Sequence, residues 1–125
     1  MNFSPTATKN SEIKRVEKGW GYELWIANSP LYCGKLLHFN EKKQCSYHYH
    51  KLQDETFYLQ SGRIVLFLGE TDDPPFLTPV TLYPGDSYHV PAGLRHRMYA
   101  IVESDLYEFS TEHFEEDSYR VIKGD

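Results

Sequence analysis

The sequence predicts an all-β barrel or jelly roll, and three observations favour this fold class. Aromatic residues make up 15% of the chain, with ten Tyr and seven Phe, and these side chains are enriched in strands. From Glu12 onward, short stretches of β-forming residues alternate with turn signals at a spacing of about ten residues, as in sandwiches and barrels. Helical periodicity is nearly absent.

The predicted strands are bounded by residues that favour turns. Strands are expected at 12–17, 20–26, 33–39, 44–49, 55–60, 63–68, 79–82, 86–90, 95–101 and 104–110. The turns between them are expected at Asn28 to Pro30, Asn40 to Lys43, Ser61-Gly62, Gly69 to Pro75, Pro84 to Asp86 and Pro91 to Gly93. The stretch from Thr111 to Tyr119 is compatible with a short acidic turn or with coil.

The length of the chain predicts one domain. With 125 residues and 14.6 kDa, it can build a single hydrophobic core. Residues 1–11 are polar and are expected to form a flexible N-terminal arm. We expect residues 12–110 to form the barrel and residues 111–125 to form an acidic C-terminal tail that packs on it.

Charge and composition exclude several classes of partner. A formal charge of -5 and a pI near 5.6 do not provide the basic surface that nucleic-acid binding requires. The first residues contain no apolar signal segment, and the longest aliphatic or aromatic run, Ile64 to Leu68, is too short to span a membrane. Cys33 and Cys45 lack the spacing of a metal or redox pair. We therefore expect a soluble, cytoplasmic protein with reduced thiols.

The stretch YHYHKLQDET, residues 47–56, predicts a metal site. Side chains alternate along a strand, so His48 and His50 lie on one face and Tyr47 and Tyr49 on the other. A polar turn then allows Glu55 to approach from a neighbouring strand. The alternative is that the two histidines are exposed or hydrogen-bonded, as we expect for the isolated histidines, which are His38, His89 and His113.

A third imidazole is expected from His96, which opens a strand after the corner formed by Pro91 and Gly93. Three imidazoles and one carboxylate suit a divalent Mn, Fe, Co, Ni or Zn ion and match Mg or Ca poorly. Four protein ligands on an octahedral ion leave two positions open, as a catalytic site requires.

Two motifs resemble the paired signature of the cupin superfamily. They are HxHx4Ex6G at His48, His50, Glu55 and Gly62, and Gx5PxGx2H at Gly85, Pro91, Gly93 and His96. The resemblance implies a cupin-type double-stranded β-helix, which is a jelly-roll barrel, with the three histidines and Glu55 as metal ligands. Two positions depart from the pattern, because Lys42 replaces a usual Gly and Ala100 replaces a usual Asn.

Other segments are similar to the cupin-type (type II) mannose-6-phosphate isomerase domain. These include Lys18 to Tyr22, Tyr32 to Leu37, Leu106 to Phe109 and Glu115 to Arg120. The chain departs from that family at Gly19, where Pro is usual, and in the YHYHK stretch, where the family has an HHHR-type motif. This similarity implies an isomerase that interconverts an aldose and a ketose, acting on a sugar or sugar phosphate with a divalent ion as Lewis acid.

Candidate catalytic residues are Lys35, Glu108 and Arg120. Lys35 is a candidate base or phosphate anchor, Glu108 a second carboxylate near the metal, and Arg120 a cover for the pocket mouth; for each, a solvent-exposed side chain is the alternative. Arg97 has the opposite strand parity to His96 and is expected to face away. An apolar wall is expected from residues that share phase with the ligands, namely Phe57, Leu59 and Met98.

Two other functions fit the same motifs. A site with three His, one Glu and two open positions also suits an Fe(II)-dependent dioxygenase, and one fold can host a carbohydrate-binding protein without turnover. We also expect a homodimer by analogy with the fold, in which the arm and outward-facing Tyr47, Tyr49 and Tyr58 cover a sheet edge.

Overall fold

The computed structural model describes residues 1–73 and 77–125. Within these residues the chain forms nine strands, joined by turns and two short 3-10 segments at Asn10–Glu12 and Glu115–Asp117. The strands are β1 (Lys14–Lys18), β2 (Gly21–Asn28), β3 (Cys33–Phe39), β4 (Tyr47–Tyr49), β5 (Glu55–Gly69), β6 (Thr78–Leu82), β7 (Ser87–Val90), β8 (Arg95–Ser110) and β9 (Tyr119–Ile122).

Two long antiparallel strands, β5 and β8, organise the fold. They pair from Glu55 opposite Ser110 to Gly69 opposite Arg95. The second half of β8 also pairs with β3, which continues to β2 and β1, and the first half of β5 pairs with β7. The first half of β8 pairs with β4, which continues to β9, and the second half of β5 pairs with β6. The chain is therefore one curled antiparallel sheet in which β5 and β8 are the central pair, in agreement with the predicted jelly roll.

Alternating burial along the strands places the core inside the roll. In β3, Cys33, Lys35, Leu37 and Phe39 point inward and the residues between them are partly exposed. The core comprises Trp20, Leu37, Phe39, Cys45, Phe57, Leu59, Ile64, Leu66, Leu68, Leu82, Val90, Met98, Ala100 and Leu106. The rings of Trp20 and Phe39 stack at 4.2 Å within it, as expected for a close-packed interior.

The turn predicted at Ser61-Gly62 is wrong, because β5 runs through it. The register with β8 shifts on both sides of Ser61, and Gly62 has φ of 92°. Such a bulge bends a strand without ending it, which allows β5 to pair with β7 in its first half and with β6 in its second half as the sheet curls. The predicted strands at 95–101 and 104–110 are likewise one strand.

The C-terminal part of the chain contains a strand that was not predicted. After the 3-10 segment, β9 pairs with β4, with Tyr119 opposite Tyr49 and Arg120 opposite His48. Strand β4 is only three residues long, shorter than the strand predicted at 44–49. β9 alternates little between apolar and polar residues, so the sequence shows no clear strand pattern there. Its pairing with β4 depends on tertiary contacts.

The expectation that Tyr47 faces outward for a partner is also wrong. Tyr47 is 0% exposed, and its hydroxyl donates a hydrogen bond to the Thr71 carbonyl oxygen at 2.9 Å. Tyr49 stacks on Tyr119 at 5.2 Å, so β9 of the same chain covers this edge. The homodimer itself stays a prediction.

The limits of the predicted arm, barrel and tail also stay predictions. Residues 1–12 are all exposed, and the first strand begins at Lys14. The turn predicted from Gly69 to Pro75 runs into residues 74 and 75, which lie outside the described residues. No helix in the described part of the chain is long and apolar enough to cross a bilayer.

Gly62 provides a test of the strand bend. A Cβ at this position would lie 2.5 Å from the carbonyl oxygen of Glu103 and would also meet the Ser104 side chain. We expect Gly62→Ala to lower the free energy of unfolding by the cost of positive φ, about 1–2 kcal/mol, plus about 1–3 kcal/mol for overpacking. Urea denaturation measures this change.

Gly85→Ala is the matched control, because Gly85 has φ of 94° and no described atom lies within 4 Å of the point that an added Cβ would occupy. This variant should show only the conformational cost. Equal losses in the two variants would mean that close approach of β8 does not require glycine at position 62.

Candidate metal centre

Four side chains predicted as ligands meet inside the roll. His48 and His50 project from β4, Glu55 is the first residue of β5, and His96 is the second residue of β8. His48 and His96 lie directly opposite each other in the β4–β8 pairing. The parity of β4 and the start of two further strands therefore bring residues from distant parts of the sequence to one point.

The distances between these side chains are short. The three histidines each present a ring nitrogen, and these atoms all lie within 4.8 Å of one another. The Nε2 of His50 lies 3.5 Å from Oε1 of Glu55, and the Nε2 of His96 lies 3.3 Å from Oε2 of the same carboxylate. This cluster can hold a metal ion.

Backbone carbonyls fix the orientation of all three rings. The Nδ1 of His48 lies 2.9 Å from the Ser46 carbonyl oxygen, that of His50 lies 2.9 Å from Asp117, and that of His96 lies 3.0 Å from Leu94. A carbonyl oxygen only accepts hydrogen bonds, so each Nδ1 carries a proton and donates it. In the neutral rings, each Nε2 then presents a lone pair to the cluster, which is the arrangement typical of metal-ligating histidines.

Two atoms at the centre indicate that the cluster is built for a cation. Glu55 Oε2 and His96 Nε2 are buried, and neither has a hydrogen-bond partner among the described residues although they face each other. Unpaired buried polar atoms are costly. A divalent ion between them would satisfy both, and the nitrogen and carboxylate donors suit Mn, Fe, Co, Ni or Zn.

The electrostatics of the ligands agree with this fit. Removal from water, together with the neighbouring His96 and His50, lowers the pKa of His48 to about 3, so its ring is neutral at pH 7. Burial also acts to lower the pKa of His96, but the Glu55 carboxylate outweighs it and raises that pKa above its usual value. The negative charge of Glu55 thus attracts a positive charge to the point where a metal would sit.

The three candidate catalytic residues line the same cavity, whose volume is about 560 Å³. Lys35 is 4% exposed and Glu108 is 5% exposed, so neither is the solvated strand residue that was the alternative. Arg120 is exposed and lines the cavity from β9. Arg97 points away, as expected, and donates a hydrogen bond to the Cys45 carbonyl oxygen.

Glu108 is held by a hydrogen-bond network. Its Oε2 accepts hydrogen bonds from Gln53 Nε2 at 3.0 Å and from the Ser110 hydroxyl at 2.9 Å. Burial, together with the negative charge of Glu55, raises the pKa of Glu108 to about 8, although Lys35 acts in the opposite direction. The Lys35 ammonium lies 4.2 Å from the centre of the Trp25 ring. The cavity therefore contains an oriented carboxyl group with a raised pKa and, opposite it on β3, a lysine.

The structure adds residues that sequence reasoning missed. His113, expected to be isolated, lines the cavity with its ring 6.5 Å from that of His50 and 4.8 Å from Trp25. Gln53 is 1% exposed beside Glu108. His113 lies in a segment with no strand periodicity, so no sequence signal could reveal its direction. Trp25 lies opposite Lys35 in the β2–β3 pairing, and this register follows from the structure and not from the sequence.

The predicted apolar wall is partly confirmed. Phe57 and Met98 line the cavity, but Leu59 is 0% exposed and packs in the core instead. Leu59 lies two residues further along β5 than Phe57 and therefore deeper in the closed roll. His38 and His89 lie elsewhere and pair with Asp105 and Asp54, respectively, as expected for histidines outside the site.

Comparison with known proteins identifies the fold. A family model described as "Cupin domain" matches residues 35–107. No curated protein matches the chain in sequence.

Several solved structures share the fold at low sequence identity. The capsular polysaccharide assembling protein CapF from Staphylococcus aureus aligns with a TM-score of 0.75 at 16% identity over 86% of this chain and 32% of its own. KdgF from Halomonas sp. aligns with a TM-score of 0.72 at 17% identity, over 90% of this chain and 98% of its own. Oxalate decarboxylase from Bacillus subtilis aligns with a TM-score of 0.76 at 15% identity, over 88% of this chain and 30% of its own. The chain thus spans about a third of CapF.

The double variant His48→Ala/His50→Ala tests the ligand set. We expect it to lose bound divalent metal, because two of four donors are removed. The barrel should stay folded, because the apolar core supplies most of the stability. Elemental analysis of the purified protein measures metal, and circular dichroism measures the fold.

His89→Ala is the control, since it removes an exposed imidazole that pairs with Asp54 and lies outside the cavity. It should retain the metal content of the wild type. Stoichiometric metal in the double variant would place the ion elsewhere.

Proposed function

Because this chain belongs to the Cupin domain family, we propose that it is a metal-dependent isomerase that interconverts an aldose and a ketose. The substrate is a small sugar or sugar phosphate. One observation carries the proposal: the predicted metal ligands open into the same cavity as a buried carboxyl group and a buried lysine. Proton transfer next to a carbonyl requires such a combination of base and charge stabilisation.

His48, His50, Glu55 and His96 would hold the ion. A divalent ion bound there supplies Lewis acidity toward the carbonyl and hydroxyl oxygens of an open-chain sugar. The support for this ligand set is the common direction of the three Nε2 atoms and the unpaired Glu55 Oε2.

Glu108 is the proposed base that moves the proton between C1 and C2. A general base is most effective when its pKa lies near the working pH, and the pKa of Glu108 is raised to about 8. Gln53 and Ser110 both donate to Oε2 and so fix the orientation of the carboxyl group. In this role Glu108 takes the proton from C2 and returns it to C1, while the hydroxyl proton passes from O2 to O1, so that the aldehyde becomes a hydroxyl group and the C2 hydroxyl becomes the ketone.

Lys35 and Arg120 are proposed to bind the negative charge of the substrate. Lys35 lies deep in the cavity, directly opposite Glu108 in the β3–β8 pairing, where it can stabilise charge on an oxygen during the reaction. Arg120 lies on the exposed side, where a guanidinium suits a phosphate group. The cavity volume of about 560 Å³ is within the range for small-molecule sites.

We also propose a homodimer, because apolar side chains are exposed on the outer surface near β3. Ile26 is 52% exposed and Phe109 is 57% exposed. Burying such side chains against a second copy is favourable, and analytical ultracentrifugation measures the resulting mass.

The function is tested by elemental analysis combined with an isomerisation screen. Purified protein would be assayed with free and phosphorylated aldoses under nitrogen, with and without a chelator, and ketose formation followed by NMR. We expect turnover without oxygen that stops on chelation. Turnover only in the presence of oxygen would indicate a dioxygenase, and binding without turnover would indicate a carbohydrate-binding protein.

Glu108→Gln tests the base. The amide keeps the size of the side chain and can still accept hydrogen bonds from Gln53 and Ser110, but it cannot take up the proton. We expect kcat to fall by about 10²–10⁴-fold, the usual contribution of a general base, with unchanged metal content. Steady-state kinetics and elemental analysis measure the two effects.

Glu103→Gln is the matched control on the same strand. Its carboxylate lies outside the cavity, 68% exposed, and pairs with His38. This variant should keep the wild-type rate. If Glu108→Gln also kept that rate, another group would have to be the base.

A further inference from the structure

Asp117 contacts the metal centre in two ways. Its carboxylate, in a residue only 2% exposed, accepts hydrogen bonds from three consecutive backbone amides that follow His50. Oδ1 lies 2.8 Å from Lys51 N, and Oδ2 lies 3.0 Å from Gln53 N; both oxygens lie within 3.2 Å of Leu52 N. Its backbone carbonyl oxygen lies 2.9 Å from Nδ1 of His50.

These contacts fix one ligand from both sides. The amides hold the turn that begins directly after His50, and the carbonyl holds the imidazole of the same residue. Successive amides that converge on one carboxylate form a strong anion-binding concavity. Because the side chain of Asp117 is anchored, its carbonyl cannot move away from the His50 ring without breaking these hydrogen bonds.

The other two histidines are held differently. His48 and His96 donate to the carbonyls of Ser46 and Leu94, each two residues away in sequence. His50 instead donates to a residue 67 positions away. Its orientation therefore depends on the docking of the C-terminal segment, whereas that of the other two rings is set locally.

We infer that Asp117 is a positioning residue of the metal centre, because it fixes the tautomer and direction of His50 through its own backbone carbonyl. The inference deepens the proposed function and rests on the metal site proposed there. Metal ligands depend on such outer hydrogen bonds, and their loss typically weakens metal affinity by about 10–100-fold.

Asp117→Asn is the test variant. It has almost the same size, but its amide nitrogen is a donor and cannot accept from the backbone amides. We expect Co²⁺ affinity, measured by visible absorption with a competing chelator, to fall by about 10–100-fold. In the metal-free variant, ¹⁵N-detected imidazole NMR should show His50 as a mixture of tautomers, while His48 and His96 keep the proton on Nδ1.

Thr111→Val is the matched control. The Thr111 hydroxyl accepts a hydrogen bond from Asp54 N at 3.0 Å, so this substitution loosens the same turn from the same C-terminal segment. It leaves in place the Asp117 carboxylate that anchors the carbonyl holding His50. It should bind Co²⁺ like the wild type. Equal weakening in both variants, with an unchanged His50 tautomer, would show general loosening and overturn the inference.

The wild type separates the failure of the inference from the failure of the metal site. If it binds no Co²⁺, the proposed metal site falls, but the His50 tautomer still tests the role of Asp117. If Asp117→Asn binds Co²⁺ normally, with His50 protonated on Nδ1, the metal site stands and the inference falls. If Asp117→Asn does not fold, NMR of the wild-type protein tests the inference instead. Protonation of wild-type His50 on Nε2 overturns the inference, and a hydrogen-bond coupling between Nδ1–H and the Asp117 carbonyl supports it.

Discussion

The curled antiparallel pair of β5 and β8 is the constraint on which the rest of the structure depends. Glu55 pairs with Ser110 at one end of this ribbon, and His96 pairs with Leu68 at the other. A straight strand from Glu55 to Leu68 would be about 43 Å long at about 3.3 Å per residue. The side chains of Glu55 and His96 nevertheless approach to 3.3 Å. The ribbon must therefore wrap around the cavity, and the bulge at Gly62 is where β5 bends.

Closing the ribbon concentrates polar groups in an interior that would otherwise be apolar. Lys35, Glu55, His96 and Glu108 are each no more than 5% exposed. Buried ionisable groups cost stability unless they are paired or bind an ion, so a fold selected for stability alone would not collect them. The stacked Trp20 and Phe39 and the aliphatic core beside them provide the apolar packing that compensates. Core residues such as Trp20, Phe57 and Met98 also line the cavity, so the apolar packing that stabilises the roll forms part of the wall around the polar groups.

The sequence predicted the features that depend on strand periodicity or on short motifs. His48 and His50 could be placed on one face because their parity holds along β4. The positions of Glu55 and His96 depend on the closure of the sheet, which strand parity does not show. These two residues could be assigned to the same site only from the predicted turns between strands and from the family resemblance. Ser61-Gly62 predicts a turn, because glycine at positive φ is favoured in turns and in bulges alike. Lys42, where the related motif has Gly, adopts φ of 62°, so the backbone shape of that position is kept although the residue that favours it is absent.

The part of the site that could not be predicted lies mainly after the matched family region, which ends at residue 107. His113 and Asp117 reach the cavity or the metal centre from a segment with little periodicity. Arg120, on β9, is a candidate only through the family resemblance, and β9 is held by pairing with the short β4. Substitutions in this segment can therefore reshape the cavity and the surroundings of His50 while the four central side chains stay the same. In this architecture the ligands are set by the roll, but the residues that tune them and face the substrate come partly from the segment that closes over it. Two chains with the same motifs can for this reason differ in chemistry.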